Sequence, residues 1–248
     1  MATDPAVESP SLDPHDLRAV LMPVSLVLLA VGLLDGATIL YSAWTGKAYT
    51  SNFYVFALIG AIFLGRGNLF AASVATVAAA FFISALVGMA AIIPVYMPQA
   101  LIHCYLQQAP GPIIGSMVRS GLMIVLLIWI LRRLRHPVVL RALAESGAKP
   151  ADAWKKPAVG FMLGFLVPLV NALSFASMQG SSVGRMAVTE AQKQANVGEH
   201  LYLLNVGPAT SSDARGQAAA DLLAYTDTTL RPLHIVWKPT FVHPATRH

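Results

Sequence analysis

Two charged residues lie within long apolar stretches, where a charge is costly and is normally paired or turned towards water. Asp35 is in the first such stretch and Arg119 is in the fourth. If the two stretches cross a membrane in opposite directions, both side chains lie at a similar depth below one surface. We therefore expect Asp35 and Arg119 to form an ion pair that fixes which helices touch. A wet vestibule around Asp35, with Arg119 reaching outwards, and a proton or ion relay are the alternative interpretations.

The adjacent His103 and Cys104 could in principle bind a metal or form a nucleophile with its base. Neighbouring ligands rarely reach one metal, and no third group that would orient them is evident. We interpret the stretch between Pro98 and Pro110 as a short interfacial helix. The histidines near the C-terminus are expected at the surface; they are His200, His234, His243 and His248.

No phosphate loop, nucleophile elbow or zinc-protease motif occurs in the sequence. The single cysteine excludes an internal disulfide framework and a multi-cysteine metal site. We therefore predict no catalytic residue, no metal site and no cofactor, and we expect a protein that is not an enzyme.

The composition sets the class of protein in which these residues must be positioned. Of the 248 residues, 56 % are hydrophobic and 12 % are charged, whereas soluble domains carry about 25 % charged residues. This excludes a free soluble enzyme and a disordered chain. We predict a mainly α fold: a polytopic helical membrane bundle followed by a small extracytoplasmic α+β unit.

The apolar stretches predict about five membrane spans. A helix rises about 1.5 Å per residue and must cross a hydrocarbon core of about 30 Å. The predicted spans are residues 19–43, 49–65, 68–96, 112–131 and 157–178, within a bundle covering 19–180. The second is short, so it could cross the membrane fully or enter it only partway.

Small residues recur at helical spacing in several spans, as they do where helix backbones approach each other in lipid. The candidate packing positions are Gly32, Gly36, Ala72, Thr76, Ala80, Ser84, Gly88, Gly160 and Gly164. We interpret them as contacts within one chain, with a homo-oligomer face or a pore lining as the alternatives.

The positive charge is concentrated in the loop 132–156, while the first 18 residues are acidic. The basic residues of this loop are Arg132, Arg133, Arg135, Arg141, Lys149, Lys155 and Lys156. Short basic loops stay in the cytoplasm, so we expect a cytoplasmic N-terminal tail (1–18), a cytoplasmic loop and an extracytoplasmic C-terminus. The setting that we expect is a bacterial inner membrane. Charge confined to one loop does not indicate nucleic-acid binding.

Residues 181–248 have the composition of a small soluble unit. The pattern predicts a helix from Ser182 to Asn196, capped by Ser182, followed by strands in a three-stranded meander. The strands are expected at 200–206, 217–225, which could also be helical, and 233–238. Such a small unit buries too little surface to stand alone. The edge offered to a partner is expected at His200–Val206 or at Leu233–Lys238, and the candidate edge residues are the alternating Leu233, Ile235 and Trp237.

Three classes of function fit these features. The first is a non-enzymatic membrane protein that presents its outer unit to an envelope protein or a second copy of itself. An accessory subunit, an assembly factor and a protector against a toxin all belong to this class. The second is a channel or transporter component, and the third is a membrane-embedded enzyme. We favour the first because no catalytic motif is present and the outer unit is too small to be stable alone.

Overall fold

The computed structural model describes residues 14–46, 54–108, 110–147, 152–208, 217–226 and 228–238. The helices are α1 Pro14–Thr45, α2 Tyr54–Gly65, α3 Leu69–Tyr96, α4 Gln99–Gln108, α5 Pro110–Leu134, α6 Pro137–Glu145, α7 Asp152–Gly180 and α8 Ser182–Gln192. The strands are β1 His200–Pro208, β2 Ala218–Tyr225 and β3 Leu230–Trp237. The structure is thus mostly helical, with a small antiparallel sheet near the C-terminus, as the sequence predicts.

Four helices are long and apolar enough to cross a membrane: His15–Thr45, Leu69–Tyr96, Ile113–Leu134 and Lys155–Gly180. They correspond to the first, third, fourth and fifth predicted spans. The second predicted span differs, because α2 has only 12 residues, a length of about 18 Å. Residues 49–53 of that span lie outside the described residues. Five complete spans are therefore not shown.

The chain divides into two compact units, of which the first comprises Met1–Leu86 and Leu122–Phe165. Its core joins the first part of α1, the end of α2, the start of α3, the end of α5, and α6. Representative buried members are Leu21, Leu64, Ala72, Leu134 and Val139. The helix α2 lies tightly along α1.

A buried hydroxyl and a glycine bring α1 and α2 together. The Ser25 hydroxyl donates a 2.7 Å hydrogen bond to the carbonyl of Ala61. A Cβ at Gly65 would come within 2.9 Å of the same hydroxyl oxygen, so the close approach depends on the missing side chain. At the end of α2, Gly67 adopts a positive φ of 75° in the turn that leads into α3.

The helix α6 lies inside the basic loop and was not predicted. Pro137 stands at its start, and its buried residues are Val139 and Ala142. Proline is favoured in the first helical turn, where its missing N–H has no intrahelical acceptor. The loop is thus shorter than its sequence indicates, and α6 packs against α1.

The second unit comprises Val87–Gly121 and Leu166–His248. Its sheet has the order β1-β2-β3, with both neighbouring pairs antiparallel, so the predicted meander is confirmed. A bulge interrupts the β1–β2 register between Leu203 and Asn205.

The helix before the sheet differs at both ends from its predicted bounds. Ser181, and not Ser182, is the N-cap of α8, because its hydroxyl accepts a 2.9 Å hydrogen bond from the Gly184 N–H. The helix ends at Gln192, before the predicted Asn196.

Candidate functional site

The sheet of the second unit is covered on one face by α8. Alternate residues of β2 and β3 point to this face, and they meet two buried alanines of the helix. The cluster contains Ala187, Ala191, Leu203, Ala220, Leu222, Ala224, Leu233 and Ile235. The small alanines on both sides allow the helix and sheet backbones to come close, as a compact layer requires.

The opposite face of the sheet is covered at one end by α4. Leu101 is fully buried against Leu223 and Tyr225, and Tyr202 packs beside them. The second half of β2, from Leu222 to Tyr225, is therefore buried on both faces, whereas Asp221 is exposed. This explains why residues 217–225 alternate only weakly in polarity, since a strand buried on both sides has no face that must be polar.

Hydrogen bonds fix α4 to the turn between β2 and β3. The Gln108 side chain donates to the carbonyl of Thr228 at 2.6 Å. The Cys104 thiol, which is fully buried, donates to the carbonyl of Thr229 at 3.4 Å. The predicted helix around His103 and Cys104 is present, but the thiol serves as a core group, whereas His103 is exposed.

An aromatic cluster lies where α3 and α7 end and the sheet begins. The Phe175 ring is 6.2 Å from Tyr96 and 5.6 Å from Tyr202, between ring centroids. The Tyr202 hydroxyl donates to the backbone carbonyl of Tyr96 at 3.2 Å. Burial raises the pKa of the Tyr202 and Tyr225 phenols, so both remain neutral donors at physiological pH.

A charged pair closes the turn between α8 and β1. The Arg231 guanidinium donates to both carboxylate oxygens of Glu199, at 3.0 and 2.8 Å, and to the carbonyl of Gln194 at 3.0 Å. The backbone N–H of Asn196 donates to the same carboxylate at 2.7 Å. The hydrogen bond from Arg231, followed by that from the Asn196 backbone, lowers the pKa of Glu199 to about 2. This arrangement is structural, because the carboxylate is saturated by its partners.

A polar row crosses the part of the sheet face that α4 leaves open. Asn205, Asp221 and His234 are register partners on the three strands, and all are exposed. His234 Nδ1 lies 2.7 Å from Asp221 Oδ1. Across the described ranges, no group of three His, Cys, Asp or Glu residues is placed to hold a metal ion. The row offers an oriented imidazole on an open surface.

The third strand is an edge strand, and its hydrogen-bonding pattern can be derived from the turn. The Thr226 N–H donates to the carbonyl of Thr229 at 2.9 Å. Because bonded and non-bonded pairs alternate in antiparallel strands, the outward backbone groups of β3 belong to Leu230, Pro232, His234 and Val236. Pro232 lacks an N–H, but at this position no hydrogen bond to β2 is lost, as expected of a proline on a sheet edge.

The predicted partner edge therefore contains two sets of residues, which differ in the direction of their backbone groups. Leu233, Ile235 and Trp237 pack their side chains towards α8 and direct their backbone groups to β2. The intervening His234 and Val236 carry the backbone N–H and C=O groups to which a further strand would bind. Whether a partner uses this edge stays a prediction.

An open groove of about 370 Å³ lies between α8 and the end of β3. Its lining includes Ser182, Arg185, Met186, Thr189, Glu190, Trp237 and Lys238. The indole Nε1 of Trp237 is buried and, among the described residues, has no hydrogen-bond partner. A buried donor of this kind costs about 1–3 kcal/mol unless something accepts from it.

Asp35 and Arg119, the predicted intramembrane pair, belong to the first and the second unit respectively. Asp35 is half-buried, and Arg119 is exposed. Their pairing stays a prediction.

Part of the small-residue pattern lies at an α3–α7 contact in the first unit. A Cβ at Gly160 would overlap the Val77 carbonyl, and one at Gly164 would overlap the Phe81 carbonyl and the Ser84 hydroxyl. Ala72, Ala80, Gly32 and Gly88 are buried, whereas Thr76 and Gly36 are half-buried. The Thr76 hydroxyl donates to the Ala72 carbonyl of its own helix at 2.8 Å.

Comparison with known proteins finds no match to this chain among family models, curated proteins or solved structures.

Proposed function

We propose that the chain is a non-enzymatic integral membrane protein that presents its C-terminal α+β unit to a protein partner outside the cytoplasm. The observation that carries the proposal is the edge of β3, whose outward backbone groups pair with no other strand of the described chain. An unpaired edge is a template for strand addition by a partner. An accessory subunit, an envelope assembly factor or a toxin-protection protein would each use such an edge.

The surfaces of the long helices support the membrane placement. At most 28 % of the apolar window of each of the four helices is buried within the protein. On α5, the side chains of Val118, Leu122 and Val125 are 55–66 % exposed. Large apolar areas of this kind are unfavourable in water and are expected where lipid is the solvent.

The core of the first unit supports the proposed orientation. The start of α1, the α2–α3 turn with Arg66, and the end of α5 with its arginines share this core. Arg133 also lies over the Trp129 ring, 5.7 Å from its centroid, as is common where arginine and tryptophan meet a membrane surface. The positive-inside rule then places this end in the cytoplasm, so that α7 leads to an outer C-terminal unit.

The position of α1 and α3 in this core also supports the second predicted span. Because α1 and α3 begin at one end of the core, the chain between them must return to that end. This favours five passages in total, with α2 as the described part of the return.

The edge is tested by three variants with separable effects. Val236→Pro removes an N–H that points away from β2, as the backbone groups of the natural Pro232 also do. It should abolish partner capture while the unit stays protease-resistant. Val236→Ala keeps the N–H and should retain the partner. Ile235→Pro removes a bond to β2 and should unfold the unit. The readout is quantitative co-purification in mild detergent, with limited proteolysis. A Val236→Pro protein that captures the same partners as the wild type would refute strand addition at β3.

A further inference from the structure

The groove between α8 and β3 is lined by the apolar side chains of Met186 and Trp237 and by the basic side chains of Arg185 and Lys238. Ser182, Arg185, Met186 and Thr189 lie on one face of α8, three or four residues apart. Trp237 forms part of the opposite wall, and Lys238 follows it directly. The lining is thus both amphipathic and accessible.

The charges of this groove do not cancel. Arg185 and Lys238 are exposed. Glu190, the acidic group of the lining, is held 2.7 Å from Lys193. Its charge is already compensated by a lysine that does not line the groove, so the groove has a net attraction for an anion.

The α7–α8 corner keeps Arg185 close to the end of α7. The Ser181 hydroxyl donates to the Met178 carbonyl at 2.7 Å and caps α8. A Cβ at Gly184 would overlap the same carbonyl, so the first turn of α8 is packed directly against the last turn of α7. In a bilayer, the headgroup layer extends roughly 5–8 Å beyond the hydrocarbon core. Arg185 lies in the first turn of α8, five residues after the end of α7 at Gly180, and is therefore within reach of that layer when α7 ends at the edge of the hydrocarbon core.

We propose that this groove binds the headgroup phosphate of an anionic phospholipid from the surrounding membrane. The inference rests on the membrane placement proposed above. Arg185 offers a planar fork of N–H donors to the phosphate oxygens, and Lys238 adds a compact charge. Met186 and Trp237 contact the glycerol and the first methylenes, since tryptophan favours this depth of a bilayer. The lipid would fix the α+β unit against the membrane surface.

The test uses the full chain in nanodiscs made from phosphatidylcholine alone or from an equal mixture with phosphatidylglycerol. The variants are Arg185→Gln and Lys238→Gln, and the matched control is Arg141→Gln, which removes the same charge from an exposed position on α6, outside the groove. We measure the phosphatidylglycerol that remains bound after detergent extraction, by mass spectrometry. Each groove variant should retain about tenfold less, as the loss of one charge-assisted hydrogen bond predicts, while the control should retain as much as the wild type.

Other outcomes would overturn the proposal. Equal losses in all three variants would indicate a general attraction of basic protein for anionic lipid. If inorganic phosphate in neutral detergent stabilised the protein against heat as much as phosphatidylglycerol does, the groove would be a site for a soluble anion. Flotation of the vesicle-reconstituted protein is read separately: failure to float with the lipid would refute the membrane placement itself, whereas flotation without selective retention would refute only the lipid site.

Discussion

Glu199 joins the α8–β1 turn to β3, because its carboxylate accepts hydrogen bonds from Arg231 and from the backbone at Asn196. Its pKa is about 2 in the folded protein, against an ordinary value of 4.5. A lowered folded pKa gives stability that is fully present above the unfolded value and is lost as the pH falls. We predict that the C-terminal unit loses protection from proteolysis between about pH 4.5 and 2 through this group.

The variant Arg231→Gln should lower the stability of the unit at neutral pH and flatten its dependence below pH 4.5. The physical reason is that Glu199, whose side chain is only 6 % exposed, loses its charged partner. Hydrogen exchange of the unit, followed as a function of pH, provides the measurement. Lys193→Gln is the control, since its exposed pair with Glu190 should contribute little. A pH profile for Arg231→Gln identical to the wild type would contradict the assignment.

The predicted ion pair of Asp35 and Arg119 can also be tested with single-residue variants. If the two charges interact, Asp35→Asn and Arg119→Gln should each destabilise the protein, and the double variant should lose less than the sum. We expect a coupling energy of about 0.5–3 kcal/mol, the usual range for residues in contact. The measurement is thermal unfolding in detergent. Strictly additive losses would show that the two side chains do not touch.

At the scale of elements, the contact between α3 and α7 depends on the absence of a side chain at Gly164. Gly164→Ala places a methyl group against the Phe81 carbonyl and the Ser84 hydroxyl. Overpacking of this kind should cost about 1–3 kcal/mol, measured by unfolding in detergent. Gly115→Ala is the matched control on α5, because a Cβ there meets nothing within 4 Å. Equal stability of the two variants would mean that α7 can move away from α3 without loss.

The sequence predicted those elements whose pattern is strong and local. The four long helices and the three strands follow from apolar length and alternation, and the weak alternation of β2 follows from the burial of its second half, Leu222–Tyr225, on both faces. The helix α6 was missed because nine residues provide little periodicity. The contact of α4 with the sheet could not be predicted, because Cys104 and Thr229 are separated by 125 residues. The groove at Arg185 and Trp237 likewise needs the tertiary fold, since its two walls are adjacent only after the sheet has formed.

For the whole molecule, the testable quantity is the side of the membrane on which each end of α7 lies. A reporter that is active only outside the cytoplasm should be active when fused after Gly180 and inactive when fused after Gly147. A reporter that fluoresces only in the cytoplasm should give the reverse. The basic residues before α7 are the physical reason. The same signal from both positions would show that α7 does not cross the membrane.

The burial of Cys104 beneath the β2–β3 turn has a consequence for the time course of synthesis. Its covering residues, Thr228 and Thr229, are made more than a hundred residues after α4. At about 5–20 residues per second, the synthesis of β3 is completed roughly 6–26 s after that of α4. We expect the only thiol of the chain to be open to alkylation during that interval and to become protected when the hairpin docks. Alkylation of Cys104 would therefore report the last step of folding, and the thiol of a chain arrested before β3 should remain reactive.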